Sequence, residues 1–304
     1  MQQTLVLGAT GRHGRTGARM VERLLGQGHQ VRVMVRTAGP VVEELRDHGA
    51  SVVIGDLLDR RTLRAAVDGI DGAYFAYPVA PGVVSAAANL ASVLREAALS
   101  PNLVVMSMAA AATENPSGLG RAHYVAEEVF AWAGLKPTVL RVAALFYENI
   151  LLLHGSSIRA GGCFANSFGA ARVPWISGRD AADLAVAALV NPDRFADSRI
   201  AYPPGAELLS HSDIAATISA EIGSPVHYTH IPQQQWEAEL AGTAGSVINP
   251  GMAQHISAIG AMLSNPSAAL PVHPDPRRLA ALIGHEPMSF AEFVSQHRNE
   301  FLCP

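Results

Sequence analysis

The sequence predicts an α/β fold, a doubly wound parallel sheet with a smaller C-terminal α/β lobe, on three observations. Short β-branched runs alternate with longer helical patterns up to about residue 141. The connections between them are short, as the crossover units of a parallel sheet require. Three glycines, Gly8, Gly11 and Gly14, stand between the first strand pattern and the first helix pattern.

Residues 4–7 read as a buried strand, and residues 14–26 as a helix with Met20, Leu24 and Leu25 on one face. Strand 31–35, a helix near 41–47, strand 52–54 and helix 62–67 follow. Then come strand 73–76, helix 84–98, strand 103–107, helix 124–132 and strand 138–142. Six strands in this rhythm give the doubly wound sheet. Past Tyr147 the rhythm weakens, and Gly-, Ser- and Pro-rich loops are expected at 155–157, 161–162 and 203–205. Helices are expected at 181–190 and at 211–221, the latter with Ser210 as N-cap. A strand is expected at 226–231 and a closing helix at 290–301. Between them, 242–276 is Ala-, Ser- and Pro-rich with some helical pattern. The expected division is a nucleotide-binding domain over 1–150 and a substrate-binding lobe over 151–304. That lobe is partly integrated with the sheet and lies over its carboxyl edge, where open α/β folds bind ligands.

Composition excludes several classes of function. The 304 residues are 49% hydrophobic and 16% charged, enough for one large core and an appended lobe. A net charge of −4 gives no electrostatic case for a nucleic-acid partner or a membrane surface. No apolar run approaches the roughly 18 residues of a membrane span. The first strand starts almost at Met1, so no cleavable signal stretch is expected. The two cysteines, Cys163 and Cys303, are far apart, so a reducing cytoplasm is the expected setting. Lys136 is the only lysine, and a mechanism needing one elsewhere is ruled out. No Cys/His cluster has zinc spacing, and His227 and His230, three apart on a strand, point to opposite faces. No metal is expected.

The most informative segment is Leu5-Val6-Leu7-Gly8-Ala9-Thr10-Gly11-Arg12-His13-Gly14. It follows a strand and opens a helix, the setting of a Rossmann-type dinucleotide site. Gly8 permits the tight turn, Gly11 lets backbone amides approach a pyrophosphate, and Gly14 is expected to let helix and strand pack closely. The helix N-terminus offers free N–H groups to the phosphates, and Thr10, Arg12 and His13 border them. Arg36 ends the second strand where NAD enzymes place a carboxylate for the ribose 2′-hydroxyl. A guanidinium there suits a 2′-phosphate, so the expected cofactor is NADP(H), with Arg12 as a second clamp. The plain alternative for Arg36 is a solvated residue at a strand end.

The spacing G-x-x-G-x-x-G resembles the short-chain dehydrogenase/reductase superfamily, and Gly8-Ala9-Thr10-Gly11 followed by Arg12 and Arg15 resembles its NmrA-like, or atypical, branch. Residues 28–36, Gly55-Asp56-Leu57, Asn89, Phe146-Tyr147-Glu148-Asn149 and 282–293 extend the similarity over nearly the whole chain. The resemblance implies that Asp56 and Leu57 meet the adenine and that Ala76 and Tyr77 border the nicotinamide. As bare residues, Asp56 equally reads as a helix-capping acid and Tyr77 as packing.

The same resemblance implies a catalytic tyrosine, a lysine four residues later and a serine at the end of the fifth strand. The match here is Tyr124 with Glu128 in the lysine's place, which reverses the electrostatics. A carboxylate disfavours a tyrosinate, so Tyr124 is expected to act as a neutral donor. Should it ionise in the ordinary way, an arginine such as Arg121 would have to stand in for the lysine. Ser107 is present, but the next two places hold Met108 and Ala109. His123 is expected to titrate near neutrality and donate a proton; its alternative is a solvent-facing residue at a helix start. Phe146, Tyr147 and Asn149 are candidates for a substrate pocket, although an aromatic pair at a strand-to-helix junction more often belongs to a core.

Three classes of function therefore stand, in this order. The first is an NADPH-dependent oxidoreductase passing hydride to a quinone, enone or aromatic carbonyl, for which water can supply the proton. The second is a non-catalytic NADP(H)-sensing regulator. The third is a redox-neutral enzyme that keeps the nucleotide as scaffold. A small-molecule substrate is expected, and a homo-oligomer is left open.

Overall fold

The structure, a computed structural model, describes residues 2–11, 14–143, 146–196, 200–201, 205–242, 248–265 and 274–302. Arg12, His13 and Cys303 lie outside these residues, as do parts of the stretches 203–205 and 242–276.

The chain begins β1 (Gln3–Leu7), α1 (Thr16–Gly26), β2 (Gln30–Val35), α2 (Pro40–Asp47) and β3 (Ser51–Ile54). A 3-10 turn, Arg60–Leu63, leads into α3 (Arg64–Val67), β4 (Gly72–Ala76), α4 (Val83–Glu96), β5 (Asn102–Met108), α5 (Gly118–Trp132) and β6 (Thr138–Ala143). The second half adds α6 (Glu148–Gly161), β7 (Cys163–Asn166), β8 (Val173–Trp175), α7 (Gly178–Val190), β9 (Ile200–Ala201) and β10 (Glu207–Leu209). It continues through α8 (His211–Ile222), β11 (His227–His230), α9 (Gln233–Gly242), α10 (Pro250–Ser264), α11 (Pro276–Ile283), α12 (Phe290–Gln296) and α13 (Arg298–Phe301).

Seven strands form one parallel sheet in the order β3-β2-β1-β4-β5-β6-β9. The chain steps outward from β1 to β3 and then builds β4 to β6 on the other side. The carboxyl ends of β1 and β4 thus frame a crevice at the reversal of strand order. Six strands were expected from the sequence. The seventh, β9, pairs Val139 with Ile200 and Leu140 with Ala201, and two residues are too few to register as a period.

Alternation along the strands feeds two cores. Leu5, Leu7, Ala73, Phe75, Leu103 and Val105 pack with residues of α4 and α5, where Phe75 and Phe130 meet edge to face at 5.2 Å. Val6, Tyr74, Val104, Met106, Leu140 and Val142 pack with α1 and α7. A third core holds the C-terminal lobe, joining Tyr147, Ile150, Phe164, Trp175, Ile214, Trp236, Phe290 and Phe293. Two small sheets serve it, β8 with β10 and β7 with β11.

Several sequence expectations are corrected. The loop expected at 155–157 is the middle of α6, because Ile150, His154 and Ile158 form a buried stripe at four-residue spacing. Helix α5 starts at Gly118 rather than near 124, since the Ser117 hydroxyl caps it by accepting from the Leu119 N–H. The closing helix is broken at His297, outside helical torsions at φ −106°, ψ 19°. Ser210 caps α8 as expected, in a reciprocal capping box with Asp213. Among the described residues no helix is long and apolar enough to cross a membrane.

Candidate functional site

The loop after β1 is built around glycine for different reasons at each position. Gly8 has φ +96°, and a Cβ there would stand 2.8 Å from the Ala76 carbonyl oxygen at the end of β4. Gly11 donates its N–H to the Gly8 carbonyl at 3.0 Å, and among the described residues that oxygen is what a Cβ there would meet. Thr10 and Gly11 are exposed. The close packing of helix on strand, expected of Gly14, belongs to Gly17, whose Cβ would run into the Gly8 carbonyl. Gly14, at φ +63°, instead clears the Phe146 ring, which would lie 2.8 Å from a Cβ. Helix α1 begins at Thr16, and Arg15 at its N-cap makes no side-chain capping bond to the N–H groups of the first turn. Uncapped N–H groups beside an exposed glycine turn fit an anionic phosphate.

The carboxyl ends of β2, β3 and β4 bring Arg36, Asp56 and Tyr77 into one field. Partial burial raises the proton affinity of the Tyr77 hydroxyl; the Asp56 carboxylate adds to this and the exposed Arg36 guanidinium opposes it. Asp56 accepts from the Leu58 N–H at 2.9 Å, and Asn89 on α4 donates to the Leu57 carbonyl at 2.9 Å. The turn bearing Asp56 and Leu57 is therefore held from two sides. Tyr77 donates to the Pro81 carbonyl at 3.3 Å.

The expected catalytic side chains have three different surroundings. Ser107 is fully buried and donates to Glu127 at 2.5 Å, while Glu127 takes a bidentate pair from buried Arg141 at 2.6 and 3.1 Å. Ser107 thus sits in a buried ionic network, not on an open face. Tyr124 is half-buried against Met108, Ala111 and Leu119, with Val79 in the same cluster. The cation over its ring is Arg141, 5.9 Å from the centroid, whereas Arg121 donates to the Asn115 carbonyl. His123 does not titrate near neutrality: burial, with His255 nearby, pushes it down to about 3, and its Nε2 has no partner among the described residues.

Of the pocket candidates, the structure places only Asn149 at a cavity. Phe146 lies beneath Gly14. Tyr147 is buried, its hydroxyl on the Glu207 carboxylate at 3.0 Å and the Met288 carbonyl at 3.3 Å, its ring against Phe290 and Phe293. It fastens the C-terminal helices, and burial with the Glu207 carboxylate raises its proton affinity.

The cavity itself, about 60 Å³, lies between α6, α8, α9, α10 and the loop after β4. Its walls are apolar and aromatic: Val79, Ile150, Leu153, Phe168, Trp175, Trp236, Met252, Ile256 and Ile259. Asn149, His154, His211 and His255 are the polar members. Burial pushes His154 down to about 3 and His255 to about 4, and holds His211 well below the ordinary imidazole range with help from His154. All three rings are uncharged at neutral pH. His154 stacks on Trp236 at 20°, and His211 meets Trp175 edge-on. Val79, in the loop after β4, and Asn149, in α6 after β6, belong to its lining; Asn249 secures the first by donating to the Val79 carbonyl at 2.9 Å. These histidines were missed from the sequence. The signal was there, in that His154 shares a helical face with Ile150 and Ile158, and His255 one with Met252 and Ile259.

A grouping of Asp180, Asp183 and His285 is already occupied by protein contacts. Asp183 takes Arg23 and His285, and Asp180 takes the Met288 N–H and Arg179.

The NmrA-like family model matches residues 1–263. The NAD(P)H azoreductase of Xenophilus azovorans is 32% identical over 244 residues, covering 78% of this chain and 80% of that protein. The structure of an NADPH-dependent quinone oxidoreductase of Escherichia coli, complexed with NADPH, superposes with a TM-score of 0.81 at 21% identity, covering 98% of this chain and all of that one. That of NmrA, a negative transcriptional regulator in complex with NADP, gives 0.77 at 17% identity, covering 97% and 94%. The architecture described above is the one these two solved structures share.

Proposed function

The chain belongs to the NmrA-like family, and from that premise we propose that it is an NADP(H)-dependent oxidoreductase acting on a small aromatic acceptor, a quinone, enone or aromatic carbonyl. The observation that carries this reading is the placement of the apolar cavity. It is lined by Val79, in the loop that follows β4, and by Asn149, in the first turn of α6 after β6, and the same β4 ends at the Ala76 that packs on Gly8. The named activities of the azoreductase and the quinone oxidoreductase support it.

The Gly8–Gly11 turn and the first turn of α1 would hold the pyrophosphate, and Arg36 the 2′-phosphate. Asp56 and Leu57 would meet the adenine, and Ala76 and Tyr77 the nicotinamide end. NADPH, when bound, supplies the hydride. The neutral aromatic walls exclude water and take a flat, uncharged ring, because a charged acceptor would lose its hydration without a counter-charge among the described lining residues. Tyr124, in one cluster with the cavity residue Val79, would serve as a hydrogen-bond donor.

The test is NADPH oxidation in the presence of a naphthoquinone, an enone, an aromatic ketone and an azo compound, followed by loss of the dihydronicotinamide absorbance. Turnover with one of them supports the reading. Tight NADP(H) binding with no turnover of any acceptor would favour the second reading, a nucleotide-sensing regulator. That alternative is favoured by Glu128 in the usual lysine's place and by the engagement of Ser107 with Glu127.

A further inference from the structure

We propose that His255 is the hydrogen-bond donor to the acceptor's oxygen in the cavity, held as its Nε2–H tautomer by Ser117. The inference rests on the reductase reading and narrows its substrate class to uncharged acceptors bearing a carbonyl-type oxygen.

The tautomer follows from a hydrogen-bond balance. Ser117 is fully buried, at the N-cap of α5. Its Oγ already accepts from the Leu119 N–H at 3.2 Å, and it lies 2.8 Å from His255 Nδ1. A buried hydroxyl must also place its own proton on an acceptor. Among the described residues the acceptor within reach is His255 Nδ1. Ser117 therefore donates to that nitrogen, which must be unprotonated, and the proton of the neutral ring resides on Nε2. Burial, which pushes His255 down to about 4, keeps the ring neutral at physiological pH.

Its position makes that N–H useful. His255 lines the cavity and Ser117 does not, and Ser117 holds the Nδ1 edge of the ring, so the opposite, Nε2 edge is the one assigned to the occupant. Helix α10, which carries His255, begins at the Asn249 that secures Val79, so the ring is tied to the sheet end of the cavity. In the proposed reaction NADPH is oxidised to NADP⁺, a quinone takes up the hydride to become a hydroquinone monoanion, and one solvent proton completes the hydroquinone. The His255 N–H bonds the oxygen on which the negative charge rests and keeps its own proton. A fixed donor in a dry, apolar site is most effective where charge develops during the reaction.

The test uses the full chain labelled with nitrogen-15. Ring-nitrogen NMR at neutral pH, with His255 assigned by comparison with His255→Gln, should show Nδ1 unprotonated and Nε2 protonated. Titrating a naphthoquinone in the presence of NADP⁺ should then move the His255 Nε2 resonance. In steady-state assays His255→Phe should lower kcat about a hundredfold, the scale for removing one positioned donor. His255→Gln, which restores an N–H near the Nε2 position, should recover most of that loss. A ring protonated at Nδ1, an Nε2 resonance unmoved by the quinone, or a His255→Phe variant as fast as the parent would each overturn the inference. A parent that turns over no acceptor refutes the reductase reading alone, because the resonance shift with NADP⁺ is read without turnover.

Discussion

Acid should unfold this protein through its buried histidines. His123 and His154 are held down to about 3 and His255 to about 4, against an ordinary value of 6.5. The native state keeps these rings neutral while the unfolded chain protonates them, so their contribution is complete above pH 6.5 and is lost as pH falls toward the native values. Linkage gives about 1.4 kcal/mol per ring for each pH unit below 6.5, or about 2 kcal/mol each at pH 5. The three together remove about 6 kcal/mol, a large part of the roughly 5–15 kcal/mol by which domains are stable. His211 adds in the same direction. Glu148 opposes it: burial raises its proton affinity, so its protonation in acid favours the native state. The assay is urea unfolding at pH 7.5 and pH 5, followed by circular dichroism and tryptophan fluorescence. His154→Phe, which keeps an aromatic ring between Phe164 and Trp236, should reduce the acid loss by about 2 kcal/mol, one ring's share. Equal stability at the two pH values, or an undiminished acid loss in His154→Phe, would refute the reasoning.

Calorimetric titration should show NADPH binding at least about tenfold more tightly than NADH, a difference of about 1.4 kcal/mol, and Arg36→Ala should erase the preference. Gly11→Val and Gly17→Val should part company. The first, at an exposed turn, should fold by circular dichroism and lose nucleotide binding. The second drives a side chain into the Gly8 carbonyl and should cost about 3 kcal/mol of stability or more in urea melts. Tyr124→Phe should retain NADPH oxidation at a rate lowered about tenfold to a hundredfold, as for loss of one neutral donor; complete inactivity would assign the tyrosine an acid's role.

How legible a residue was in the sequence depended on how local its surroundings are. Gly8 could be read because its need for a positive φ arises from a strand turning into a helix within a few residues. Tyr147 belonged to a motif, but its hydroxyl partner Glu207 and its ring neighbours Phe290 and Phe293 arrive from far along the chain. That turned a pocket candidate into a core pin. Ser107 and His123 were chosen by position in a motif. The burial that gives Ser107 to Glu127 and keeps His123 uncharged is not encoded beside either of them.

The sequence by itself determined the parallel α/β architecture, the glycine turn, and the arginine that follows β2, because strand periodicity and turn chemistry act over a few residues. Only the tertiary structure decided that His154, His211 and His255, on three different helices, would close one neutral aromatic cavity with Val79 and Asn149. A histidine's charge and tautomer follow from what surrounds it, and here those surroundings come from segments as distant in sequence as Ser117 and His255.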